Sequence, residues 1–289
     1  MNPHETWTTL VSPTQLAARL GTPGLVVLDA RFALATASGA GSGEADWRVA
    51  HVPGAHYAHL ERDLSGAHAP GAGRHPWPGE AAFARTLAGW GIAGDSQVVV
   101  YDAADGAFAA RAWCLLRLAG HAAVAVLDGG LAAWRAQDLP LDAASPLVPQ
   151  SVAQPLAFDR SRLFDAARVQ AHLAEGGLLL DARAGERYRG EVEPIDRVAG
   201  HVPGARSRPY AANLEDGRFK SSKRLASEFS TLLDGRPPGD VVAMCGSGVT
   251  ACHHLLAMAH AGLDGAGLYT GSWSGWIEDP ARPVATGSG

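Results

Sequence analysis

The chain repeats itself, and the repeat constrains its folding more than any other feature. Leu28-Asp29-Ala30-Arg31 recurs as Leu180-Asp181-Ala182-Arg183, 152 residues on. His51-Val52-Pro53-Gly54-Ala55 recurs as His201-Val202-Pro203-Gly204-Ala205 after 150, and Asp128-Gly129-Gly130 with Trp134 is answered by Thr270-Gly271-Ser272 with Trp276 after 142. Three matches in one order with a slowly drifting offset describe two copies of a domain that differ in loop length. A period this long is a domain duplication, not a solenoid. The 289 residues divide accordingly into a first domain over 1–142, a linker over 143–157 in a stretch rich in Pro, Ala, Ser and Gln, and a second domain over 158–289.

Each copy alternates short apolar runs with helical stretches, the pattern of an α/β fold with a parallel sheet. In the first copy Ser12 and Pro13 start a helix through Leu20, strands are expected at Leu25–Leu28, Val98–Tyr101 and Val124–Leu127, and a helix at Ala109–Ala119. The second copy gives helices at Ala166–Ala174, Leu225–Leu233 and Val249–His260, with strands at Leu178–Leu180 and Val241–Met244. Strands apolar on both faces require helices on both sides of the sheet.

Composition narrows the function. A net charge of −5 supplies no basic footprint for nucleic acid or for an anionic membrane surface, so neither is expected as a partner. The first thirty residues carry no basic segment followed by an apolar core and cleavage site, and no run of eighteen apolar residues occurs, so the chain reads as cytoplasmic and unanchored. Cys114, Cys245 and Cys252 are too few for a disulfide framework, and no ligand spacing suggests a metal or other cofactor. Cys114 shares an apolar helix face with Leu115 and Leu118 and reads as core. Cys252 lies two helical turns beyond Cys245, too far for a disulfide, and the adjacent His253 and His254 face different sides of a helix.

Cys245 is different. It ends the strand Val241–Met244 and opens the loop Cys245-Gly246-Ser247-Gly248-Val249-Thr250 ahead of a helix, at the strand edge where parallel sheets bind ligands. Loop amides curled by two glycines, together with the positive end of the helix, would hold the cysteine as its thiolate. The first copy has Asp102 at the same place and cannot do thiolate chemistry. A cysteine phosphatase would need an arginine six residues after the cysteine, and that position is Ala251.

With the paired Asp-Ala-Arg and His-Val-Pro-Gly-Ala motifs, Asp128-Gly129-Gly130 and the Cys245 loop, the chain resembles the two-domain (tandem) rhodanese family of sulfurtransferases over nearly its whole length, about Leu10 to Pro283. The resemblance implies two rhodanese-like domains, each a parallel sheet flanked by helices on both faces, with only the second catalytic. The Cys-Gly-Ser-Gly-Val-Thr loop is similar to the 3-mercaptopyruvate branch, because the thiosulfate branch places cations after the cysteine and Gly246 and Ser247 carry none. The implied reaction moves a sulfane sulfur from 3-mercaptopyruvate, through a Cys245 persulfide, to a thiol, thioredoxin-like or cyanide acceptor. The alternatives are a thiosulfate:cyanide sulfurtransferase and a persulfide carrier that does not turn over. A Ser–His–acid relay for the pyruvate enolate maps onto Ser247, onto His75 from the first copy, and onto Glu61, with Asp63 as the other acid. Gly246, Gly248, Val249 and Thr250 would cradle the donor. Arg187 maps onto the arginine that binds its carboxylate, and the second such arginine is Arg197 or Arg189.

Overall fold

The computed structural model describes residues 6–33, 43–147 and 151–288; residues 148–150 of the expected linker lie outside them. The chain forms two compact units, Met1–Gly66 with Pro78–Phe158, and Ala67–Trp77 with Asp159–Gly289. The eleven residues Ala67–Trp77, which the repeat leaves in the first copy, thus pack with the second.

In the first unit the elements run β1 (Leu10–Val11), α1 (Pro13–Ala17), β2 (Leu25–Asp29), α2 (Gly43–Val49), β3 (His56–Tyr57), α3 (Glu80–Gly89), β4 (Gln97–Tyr101), α4 (Ala109–Leu118), β5 (Val124–Leu127) and α5 (Gly130–Arg135). The second has β6 (Leu163–Phe164), α6 (Ala166–Ala174), β7 (Leu178–Asp181), α7 (Gly185–Arg189), β8 (Arg206–Ser207), the β9 (Leu214–Glu215) and β10 (Arg218–Phe219) hairpin, α8 (Ser222–Leu233), β11 (Val241–Met244), α9 (Cys252–His260), β12 (Gly267–Tyr269) and α10 (Ser272–Trp276). The main sheets have equivalent strand orders, β1-β5-β4-β2-β3 and β6-β12-β11-β7-β8, with every neighbour parallel. The central strands β4 and β11 are buried along their whole length. Among the described residues no helix is long and apolar enough to cross a membrane.

The repeated motifs do the same work in both units. Arg31 clamps Asp29 at 2.7–3.0 Å and donates to the Ala50 carbonyl at 2.7 Å, while Arg183 clamps Asp181 and donates to the Gly200 carbonyl at 2.8 Å. Each arginine therefore staples its strand end to the residue just before the repeated histidine. That histidine stacks on an aromatic ring, His51 on Trp47 at 4.8 Å and His201 on Tyr188 at 3.8 Å. These ion pairs are buried, so removing one partner would strand the other charge at a cost of about 3–5 kcal/mol.

Two helices differ from the sequence expectation at their ends. A capping box starts α1, with Ser12 Oγ accepting from the Gln15 amide and Gln15 reaching back to Ser12, but the helix stops at Ala17, where the chain turns toward Gly21 at φ +75°. Helix α9 begins at Cys252, three residues later than expected, because Val249–Ala251 form tight turns in which the Cys252, His253 and His254 amides donate three residues back, to the Val249, Thr250 and Ala251 carbonyls.

Candidate active site

Strand β11 delivers Cys245 to the carboxyl edge of the second sheet, and the turn into α10 fixes it there. The Trp273 amide donates to the Cys245 carbonyl at 3.0 Å and the Ser274 amide to the Gly246 carbonyl at 2.9 Å. Ser272 Oγ accepts from the Cys245 amide at 3.1 Å and donates to the Tyr269 carbonyl at 2.9 Å. Ser272 pays for this role with a left-handed backbone, φ +49°, unfavourable by roughly 1–2 kcal/mol for a residue with a side chain. The first copy has Gly130 at the matching position, φ +53°. Nothing in the amino-acid pattern singled out Ser272, because a serine in this conformation cannot be read from a string.

Ala67–Trp77 brings in the histidine. Glu278 accepts from the Gly71 amide at 2.5 Å and the Gly73 amide at 3.3 Å, and Ser274 Oγ accepts from the Arg74 amide at 3.0 Å. The approach is tight enough that a Cβ on Gly73 would lie 2.4 Å from the Gly271 carbonyl oxygen. His75 Nδ1 and Ser247 Oγ then meet at 2.7 Å. Both side chains are buried, at 5% and 6% exposure, beside Cys245 at 2%.

Carboxylates surround the arginines. Arg187 binds Glu193 through Nε and Nη2, and Nη2 also reaches Asp196 at 3.1 Å. Arg74 Nη1 pairs with the other oxygen of Asp196, and Arg183 reaches Glu193 at 3.4 Å. Burial pushes the Asp196 carboxyl above its usual range against the pull of Arg74. Burial pushes Glu193 the same way, but Arg187 and the Asp196 and Ile195 amides outweigh it and leave Glu193 below the usual range.

The other expected site residues lie as follows. Gly246 sits against Arg74 and Arg187. The Val249 and Thr250 carbonyls accept from the Cys252 and His253 amides, and the Gly248 carbonyl accepts from Cys252 Sγ at 3.4 Å. These three residues thus splice the loop onto α9. Arg197 Nη2 donates to the Ile277 carbonyl, and Arg189 pairs with Glu191 near the surface. Glu61 lies in the first unit, exposed, with its amide donating to His59 Nδ1 at 3.2 Å. Asp63 is occupied by Arg62 and by the His59 amide. His253 and His254 are buried behind the site, their Nδ1 atoms 2.9 and 3.0 Å from Asn213 Nδ2.

The matching loop of the first unit is closed on itself. The Asp102 carboxylate accepts from the amides of Ala104, Gly106, Phe108 and Ala109 at 2.9–3.2 Å. Burial, reinforced by Asp105, pushes the Asp102 carboxyl up to about 6 against the pull of those amides.

Known proteins carry the same pattern. The Rhodanese-like domain family matches residues 12–137 and 165–279. A Pseudomonas aeruginosa protein named "Probable 3-mercaptopyruvate sulfurtransferase" is 54% identical over 284 residues, covering 96% of this chain and 98% of the relative. The thiosulfate sulfurtransferase of Bos taurus is 34% identical over 285 residues, covering 94% and 92%. Among solved structures, the 3-mercaptopyruvate sulfurtransferase of Escherichia coli superposes with a TM-score of 0.79 at 30% identity, over 93% of this chain and all of that one.

Proposed function

Because the chain belongs to the rhodanese-like family, we propose that it is a sulfurtransferase that takes a sulfane sulfur from 3-mercaptopyruvate onto Cys245 and passes it to a thiol, such as a small thiol or a thioredoxin-like protein. The observation that carries the donor assignment is the buried 2.7 Å contact between His75 Nδ1 and Ser247 Oγ, two residues from the cysteine. Donors that leave as carbon acids need a proton; donors that leave as sulfite do not.

The Cys245 thiolate attacks the sulfur of 3-mercaptopyruvate. A sulfur–sulfur bond forms, the carbon–sulfur bond breaks, and its electron pair goes to carbon as the enolate of pyruvate. Ser247 protonates that carbon, His75 replaces the proton through Nδ1, and solvent reprotonates His75. The acceptor thiolate then takes the outer sulfur and returns Cys245 as thiolate. Arg187 holds the donor carboxylate, since its planar fork matches a carboxylate in a way lysine does not. The relay acid that the family resemblance implies is Glu61, or Asp63, both of which lie in the first unit.

A thiosulfate donor is the second reading, favoured by the two guanidinium groups of Arg74 and Arg187 at Gly246. The deciding experiment compares initial rates with 3-mercaptopyruvate and thiosulfate against one common acceptor. A higher kcat/KM for 3-mercaptopyruvate is expected; preference for thiosulfate overturns the assignment.

A further inference from the structure

The two arginine staples are not finished alike. Arg183 spends every guanidinium nitrogen on the chain: Nε and Nη2 on Asp181, Nη2 again on the Gly200 carbonyl, and Nη1 on Glu193 at 3.4 Å. Its guanidinium carbon lies 4.8 Å from the centre of the Trp273 ring. Arg31 repeats the contacts of Nε and Nη2, but its Nη1 makes no hydrogen bond or ion pair among the described residues. Leu131 stands where the second unit has Trp273, its amide donating to the Asp102 carbonyl at 2.9 Å as the Trp273 amide donates to the Cys245 carbonyl at 3.0 Å. With neither a carboxylate on Nη1 nor a ring beside it, Arg31 borders a cavity of about 430 Å³ whose wall also carries Asp46 and Val49 of α2, Ala103, Leu131 and Arg135.

We propose that this cavity of the first unit binds a small aliphatic monocarboxylate, whose charged end accepts from Arg31 Nη1 as Glu193 accepts from Arg183 Nη1, with Arg135 as the second cation. The site belongs to the unit without the cysteine and is independent of the donor assignment above. Arg31 is 7% exposed, and a deeply placed guanidinium N–H without an acceptor gains from any acceptor that fits. Its partner Asp29 does not exhaust it, since Arg183 holds Asp181 and Glu193 at once. Asp29 also fixes the plane of the guanidinium, so an arriving carboxylate meets a preset charge-assisted donor. Arg135 ends α5, is exposed, and makes no ion pair among the described residues. Val49, Ala103 and Leu131 give the wall an apolar face for a short hydrocarbon body. Asp46 on the same wall selects against a dianion, whose second charge would stand near that carboxylate.

The test is an amide chemical-shift titration of the isotope-labelled full chain with propionate, beside sulfate as the dianion. Propionate should move the amides of Asp46, Val49, Ala103 and Leu131 together and to saturation. Arg135→Ala should weaken that site about three- to fivefold, as for one exposed ion pair. Leu131→Trp places the second unit's ring in the cavity and should abolish the shifts while the amides of the second sheet stay where they are. Arg31 is left in place, because its loss would also strand Asp29. Amides that do not move, or that move without saturating at tens of millimolar, would overturn the proposal, and so would one affinity shared by wild type and both variants. If Leu131→Trp does not fold, Arg135→Ala decides alone. Sulfate saturating the same amides more tightly than propionate would overturn the choice of a monocarboxylate. The outcome holds whichever sulfur donor the protein prefers, so this proposal and the donor assignment fail separately.

Discussion

The loops after β4 and β11 occupy the same place in two copies of one sheet, and they meet the same requirement in opposite ways. Amide groups curled at a strand end make a concavity that favours negative charge. After β4 the chain fills it from within, four amides closing on Asp102. After β11 a thiol stands at that position, and two guanidinium groups, Arg74 and Arg187, lie beside the next residue, Gly246. One loop is closed on its own carboxylate. The other carries a thiol where the first carries that carboxylate. Duplication thus kept the concavity and changed only what fills it.

The largest effect comes from the cysteine itself. Cys245→Ser should lower sulfur transfer by at least ~10³-fold, the scale seen when a nucleophile is removed, and abolish the one-sulfur mass gain on donor treatment. Adding Asp102→Cys to that variant should restore neither, since Ala104 stands where the second loop has Ser247. A Cys245→Ser chain that still gained sulfur would break the comparison. Next, Ser247→Ala should slow 3-mercaptopyruvate turnover by ~10²–10⁴-fold, the usual worth of acid–base catalysis, and leave thiosulfate turnover nearly intact; equal losses with both donors would argue that Ser247 only shapes the loop.

Emptying the first loop tests the other half of the comparison. Asp102→Ala leaves four amides without their carboxylate and should cost about 3 kcal/mol or more of stability, seen in chemical denaturation. Sulfate should return part of that stability to the variant and do little for the wild type. An Asp102→Ala chain as stable as wild type would mean that the loop needs no anion.

The smallest effect is a pH slope whose sign differs between the units. Burial, with Arg208 adding to it, pushes His254 down to about 3. The folded second unit therefore holds this histidine neutral while the unfolded chain protonates it near 6.5. The stabilising contribution is complete above about pH 6.5 and is lost, by about 1.4 kcal/mol per pH unit, as pH falls toward 3. Asp102 works oppositely. Its folded value of about 6 lies above the usual carboxylate range, so its contribution is complete below about pH 4 and is lost as pH rises to 6. Hydrogen exchange followed by peptide between pH 4 and 6.5 should show the second unit weakening on acidification while the first gains. Parallel slopes, or a slope unchanged in His254→Gln, would contradict the assignment.

Much of this was legible in the residues. The repeat, the central strands and the strand–loop–helix setting of Cys245 follow from apolar runs and glycine placement, because burial on both faces leaves a direct signature. The two-residue edge strands β1, β3, β6 and β8 were not legible, since they are defined by a neighbour's hydrogen bonds rather than by their own composition. The family resemblance points to Arg197 or Arg189 as the second arginine, on the segment that carries Arg187. Arg74 reaches the site from 172 positions before Gly246, through Glu278 and Ser274, and chain distance hides such a residue. Ser272 escaped for a related reason: its value lies in a backbone angle.

The anchoring of Ala67–Trp77 on Glu278 also sets a clock during synthesis. Gly71 leaves the ribosome 207 residues before the carboxylate that holds it. At about 5–20 residues per second, that gap lasts roughly 10–40 s. Cys245 is made within it, but His75 cannot be held against Ser247 until the last turn of the second unit has emerged. The nascent chain therefore carries its thiol for the roughly 2–7 s needed to add the 33 residues from Cys245 to Glu278 before the relay can close.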